Sequence, residues 1–185
     1  AKLVGEEMDE TFLLGLTEEN SSPSLSLVYF YQLWLEVLFG EYERAAETAA
    51  NAEKARNINA RRFPVLCNRT FYSGLATIIL AQKEGRSKWE GTINAKMAQM
   101  EKWASSTPWN CQHKFELMSA EYAFLRGDKE AASKAYDCAI TTAVNHRFVH
   151  EEALALERAG IFYTDSGDHG TAAGLFTRAY DCYVK

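Results

Sequence analysis

The stretch "GDKEAASKAYDCA", Gly127–Ala139, is echoed forty residues later by "GDHGTAAGLFTRA", Gly167–Ala179. Both open with Gly-Asp. Both carry an alanine five residues after the glycine (Ala132, Ala172), an aromatic ring at nine (Tyr136, Phe176) and a second alanine at twelve (Ala139, Ala179). This spacing puts small, large and small side chains on one face of a helix. The small residues let the second helix of a hairpin approach the first closely. The ring fills the gap between one hairpin and the next.

Working outward, Gly40, Gly85, Gly127 and Gly167 lie 45, 42 and 40 residues apart. A period in this range signals stacked helical hairpins, each of which needs its neighbours to bury its apolar face. Each glycine closes a helical segment as a left-handed cap. Those segments are Leu27–Phe39, Phe71–Glu84, His113–Arg126 and Glu151–Ser166. The partner helices are Glu41–Arg56, Ser87–Ala104, Lys129–Val144 and a last one running towards Lys185. Pro64 and the stretch "SSTPWN", Ser105–Asn110, mark breaks. Ala45, Ala49 and Ala52 hold the equivalent positions in the first hairpin, whereas the second has Glu90, Asn94 and Met97. The second is a degenerate repeat, or one that has slipped so that Trp89 and Ile93 serve instead.

The expected fold is therefore all-α: a right-handed α-solenoid of about four antiparallel hairpins, at about 25–56, 65–104, 111–145 and 150–185. In the first helix Tyr29, Phe30, Tyr31, Trp34 and Phe39 cover more than one face, so it is expected to be buried on several sides. The segment 1–24, with "EEMDETFLLGLTEEN" at Glu6–Asn20, is a candidate packing helix over it; an exposed binding groove is the alternative.

Composition excludes several classes. The 185 residues are 47% apolar and 12% aromatic, which is the make-up of a folded chain rather than a disordered one. The longest apolar stretch, Leu25–Phe39, is broken by Gln32 and Glu36, so no membrane span is expected. Net charge is −5, and the basic stretch Lys54–Arg69 reads as a solvated connection rather than a nucleic-acid face. The cysteines, Cys67, Cys111, Cys138 and Cys182, include no CxxC and are expected to be reduced structural thiols of a cytoplasmic protein. The 185 residues show no basic n-region followed by an apolar core and a cleavage site, so no secretory signal is expected among them. The first residue is not Met and the last helix reads as unfinished, so a piece of a larger protein is expected.

Leu156, Ala159, Gly160, Tyr163, Gly167, Ala172, Phe176 and Ala179 follow the tetratricopeptide spacing, and Ala120, Ala123, Gly127, Ala132, Tyr136 and Ala139 match it more loosely. The chain resembles the longer tetratricopeptide-like arrays of large signalling proteins. The stretch from Trp103 to Tyr163 in particular resembles a segment that follows an AAA-type ATPase and precedes kinase, cyclase or sensor domains in very large multidomain chains. The resemblance implies architecture and carries no chemistry.

Side chains that could carry chemistry are sparse. No glycine-rich phosphate loop is present, and His146 with His150 straddles a turn rather than one helix face. Cys111 and His113 sit too close in sequence to act as nucleophile and base. "HEEALALE" lacks the Glu-x-x-His repeats of a di-iron bundle. No enzyme, metal or cofactor is expected. The expected function is a protein-interaction or regulatory module whose partner is a protein, a peptide or a neighbouring domain, with no nucleic acid and no membrane. A small-molecule sensor with ligand in the concavity is the alternative. The first helix of each hairpin lines the inner face of a tetratricopeptide array. Carried over, that places Phe30, Trp34, Tyr72, Leu75, Lys114, Glu121, Phe124, Glu157 and Ile161 along one partner-binding surface.

Overall fold

The computed structural model describes residues 4–5, 8–9, 23–54 and 63–184. These residues are helical almost throughout, in agreement with the all-α expectation. The helices are α1 (Pro23–Leu38), α2 (Tyr42–Lys54), α3 (Phe63–Glu84), α4 (Glu90–Ser106), α5 (Pro108–Leu125), α6 (Lys129–His146), α7 (Val149–Asp165) and α8 (His169–Tyr183). A 3-10 turn, Arg86–Lys88, precedes α4. The one extended feature among the described residues is a short antiparallel pairing of β1 (Val4–Gly5) with β2 (Met8–Asp9), with Val4 opposite Asp9. The rest of the candidate packing helix at Glu6–Asn20 lies outside the described residues, as do Arg56, Arg61 and Arg62 of the basic stretch. No described helix is long and apolar enough to cross a membrane. The chain divides into two compact units, Ala1–Gly85 and Arg86–Lys185, and this boundary falls inside the expected second hairpin.

Two expected breaks turn out to be helix starts. α3 begins at Phe63, eight residues ahead of the expected Phe71, with Pro64 in its first turn. There a proline removes no helical hydrogen bond, and its fixed φ suits the helix. "SSTPWN" shrinks to a single non-helical residue. Thr107, at φ −137° and ψ 65°, separates α4 from α5, and Pro108 opens α5. The Thr107 hydroxyl and amide both donate to the Trp103 carbonyl, at 3.0 and 2.7 Å, which closes α4.

The Gly-Asp pairs are helix joints. Gly127 and Gly167 have φ of 77° and 89°, where a side chain would be strained. After α5, the Gly127 amide donates to the Phe124 carbonyl at 2.9 Å and the Asp128 amide to Ala123 at 3.0 Å. Gly167 and Asp168 repeat this with Thr164 and Tyr163. This Schellman arrangement satisfies the last carbonyls of the helix. The aspartate then caps the next one: Asp128 accepts from the Ala131 amide and Asp168 from the Thr171 amide, each at 3.0 Å. The Thr171 amide and hydroxyl hold the Asp168 carboxyl below the usual carboxylate range. Between α6 and α7 the same carbonyl pattern is made by Arg147, at φ 61°, and Phe148.

In the first unit α1 packs on α2 and α3, and α2 on α3. α3 is buried on every side from Thr70 to Ala81. Its hydroxyls turn back onto the backbone, Thr77 donating to the Ser73 carbonyl at 2.6 Å. On α1, Leu33 and Val37 are core while Leu27 and Tyr31 are exposed, so several but not all of its sides are covered; Phe39, just past its end, is exposed too.

In the second unit α4 packs on α5, α5 on α6, α6 on α7 and α7 on α8. Ala132, Ala139, Ala172 and Ala179 are all buried, as their spacing led us to expect. The two rings differ: Tyr136 is fully buried, whereas Phe176 is 38% exposed. Phe176 instead covers Gly160 of α7, where an added Cβ would lie 2.7 Å from the ring. Gly174 of α8, by contrast, faces open space. Gly174→Ala should raise stability by about 1 kcal/mol through helix propensity. Gly160→Ala should fall below it by roughly 1–3 kcal/mol through overpacking. Urea unfolding of both variants checks this, and Phe176→Ala should relieve the Gly160→Ala penalty.

Candidate functional site

The residues expected along one surface are mostly interior. In the first unit the structure brings three of them together. The Phe30 and Trp34 rings stack at 6.1 Å, and Trp34 stacks on Tyr72 at 6.1 Å. Leu75 is fully buried. In the second unit Phe124 meets the Phe162 ring edge-on at 5.2 Å, and Ile161 is half-buried. Glu157 accepts from the Tyr183 hydroxyl at 2.8 Å. Lys114 and Glu121, the charges expected to face a partner, are 3% and 0% exposed.

Glu121 of α5 is the centre of a buried polar lock. Arg158 of α7 forks onto it, Nε donating to Oε1 at 2.7 Å and Nη2 to Oε2 at 2.9 Å. The Tyr136 hydroxyl of α6 donates to the same Oε1 at 2.7 Å. Three successive helices thus meet on one carboxylate. A buried charge is tolerated only when paired and hydrogen-bonded, and the bidentate guanidinium supplies both. Burial, and then the neighbouring carboxylate, push the Tyr136 phenol far above its ordinary range, which keeps it a donor. Removing one partner leaves the other charge uncompensated. Glu121→Ala should therefore cost about 3–5 kcal/mol, read by chemical denaturation. Tyr136→Phe, which leaves the ion pair whole, should cost about 1–3 kcal/mol.

A second cluster ties α5 to the start of α7. Lys114 Nζ lies 3.1 Å from Glu151 Oε1, 4.8 Å from the Phe148 ring centroid and 3.3 Å from the Asn110 carbonyl. His113 Nε2 is 2.9 Å from the same ammonium, and its ring stacks on Phe148 at 4.3 Å. The ammonium donates, so Nε2 accepts and the proton of the neutral ring sits on Nδ1. Burial first, then Lys114 and His146, lower the His113 pKa to about 3. The unfolded imidazole takes its proton near the ordinary 6.5, so between that value and about 3 the unfolded state binds the proton and the native ring does not. This contribution is fully present above pH 6.5 and is lost as the pH falls towards 3. Stability should drop by up to about 1.4 kcal/mol per pH unit in that window. Urea midpoints at pH 7 and pH 5 for the parent chain and for His113→Phe check it, the variant showing the shallower dependence.

The other candidate pairs are drawn apart. His146 ends α6 and stacks on Trp109 at 4.2 Å, whereas His150 lies in the first turn of α7. Cys111 Sγ sits 3.5 Å from the Thr107 hydroxyl, and His113 turns to Lys114. Among the described residues no group of three His, Cys, Asp or Glu could hold a metal ion.

Sequence reasoning named Glu121 and Lys114 but not their partners, Arg158 and Glu151, 37 residues distant in each case. A charge set in an apolar run, as Glu121 is in "LMSAEYAFL", was the available signal. The partner's identity had none. No family model matches the chain, and no curated protein and no solved structure matches it.

Proposed function

We propose that the chain is a non-catalytic protein-interaction module built of tetratricopeptide-like antiparallel hairpins, with α5–α6 and α7–α8 as two consecutive repeats of a right-handed stack. The observation that carries this reading is how the second unit uses its ionisable side chains. Glu121, Arg158, Lys114 and Glu151 are spent on each other between helices, while Trp109, Tyr180 and Tyr183 stand on the surface. Such a unit is a rigid scaffold presenting aromatic residues, the side-chain type enriched at protein interfaces. The repeated joint, αL glycine followed by capping aspartate, supports the same reading, because it makes the connection within each repeat the same.

The purified 185-residue chain, presented with an array of helix-forming peptides and with a panel of nucleotides and small metabolites, tests the proposal. Saturable, stoichiometric binding of a polypeptide is expected in titration calorimetry. A metabolite that raises the melting temperature and saturates, with no polypeptide bound, would assign small-molecule sensing instead. ATP turnover abolished by one side-chain change would overturn the non-catalytic reading.

A further inference from the structure

Three helix ends meet in the interior of the second unit: the start of α5, the end of α6 and the start of α7. The joint between α6 and α7 is the least secured of the three that share the αL carbonyl pattern. Its left-handed residue is Arg147, at φ 61°, where the other two have glycine. Its N-cap is Phe148, which offers no capping side chain, where the other two have aspartate. α7 also packs more extensively on α8, and α5 on α6, than α6 does on α7. The first turn of α7 is held by side chains instead. Phe148 stacks on His113 of α5, and Glu151 pairs with Lys114.

This attachment requires His113 to be neutral. Nε2 accepts from the Lys114 ammonium at 2.9 Å, and Nδ1 is buried with no hydrogen-bond partner. The charges that act on the ring are those of Lys114 on α5 and His146 on α6, with Glu151 of α7 reaching it through Lys114; α4 packs on α5 but adds none. A second proton on His113 would cancel the Lys114 hydrogen bond and set two cations side by side in an interior site. Exposure of the ring to water relieves this, and the group lying over the ring is Phe148. The Glu121–Arg158 pair sits about two turns further along both α5 and α7, so the two helices remain tied there.

We infer that this end of the unit is an acid-released latch: when His113 takes up a proton, the first turn of α7 lifts from α5, while the helices stay joined at Glu121 and Arg158. The opening is local, drawn from the weakest joint, and is distinct from unfolding of the unit.

Native-state amide hydrogen exchange of the full chain, followed by NMR between pH 7 and pH 5 with and without sub-denaturing urea, tests this, each rate being corrected for the intrinsic pH dependence of exchange. The Glu152 amide, which donates to the Phe148 carbonyl at 2.8 Å, reports the latch. The Ala132 and Ala172 amides, bonded in the same way to the Asp128 and Asp168 carbonyls, report the two capped joints. Protection at Glu152 should fall by up to about tenfold per pH unit below 6.5 and be insensitive to urea, while that at Ala132 and Ala172 stays level. In His113→Gln, whose amide oxygen gives Lys114 an acceptor that does not titrate, the fall should vanish. His113→Phe serves where that variant does not fold. In His146→Gln the fall should persist. Level protection at Glu152 overturns the latch. So does a fall that all three amides share and that deepens with urea, because the proton is then taken up only on global unfolding. A fall kept in the His113 variants, or lost in His146→Gln, moves the proton to another group and overturns it equally.

Discussion

The second unit is organised around one carboxylate. Glu121 cannot be left alone in an apolar interior, so the position of Arg158 and that of the Tyr136 hydroxyl are both fixed by it. Because the three groups come from α5, α6 and α7, the lock sets how one helix pair meets the next. Apolar contacts alone would tolerate sliding along the helices, since burial is proportional to area and has no direction. A bidentate guanidinium does not slide without losing its hydrogen bonds. The alanines then become useful: with register fixed, Ala132 and Ala139 let α6 sit close enough for Tyr136 to reach its acceptor.

The joints act on a shorter scale and in the same sense. An αL glycine followed by a capping aspartate stops one helix and starts the next within three residues, Arg126–Asp128 or Ser166–Asp168. The connection between α6 and α7 keeps the carbonyl pattern but replaces glycine with Arg147 and the capping side chain with Phe148. That ring is used elsewhere: it closes over Lys114 and stacks on His113. Capping is thus given up where the chain needs an aromatic contact between pairs, and the Lys114–Glu151 pair ties the start of α7 back to α5.

In the second unit His113, Lys114, Glu121 and Arg158 are thus committed to the interior, while the surface of α8 carries rings. The contrast between Tyr136, fully buried, and Phe176, more than a third exposed, arises at equivalent positions of equivalent helices. Identical local pattern therefore does not decide burial. What lies alongside does.

Among the described residues, the helices and the turns at Gly40, Gly85, Gly127 and Gly167 were legible in the sequence, because each depends on residues within a few positions of one another. The periodic small-large-small pattern was legible for the same reason. Helix starts at Phe63 and Pro108 were misplaced, since a proline reads locally as a break and only the hydrogen bonds show that it lies in a first turn. The surface carried over from the repeat pattern is where tertiary structure had the most to decide. Lys114 and Glu121 sit at spacings that suit an open face, yet both are interior, because residues 37 positions away on α7 arrive to neutralise them. A periodicity argument assigns a residue to a face of its own helix. It has no term for which charge another helix will bring to that face, and desolvation with pairing is settled only when the helices meet.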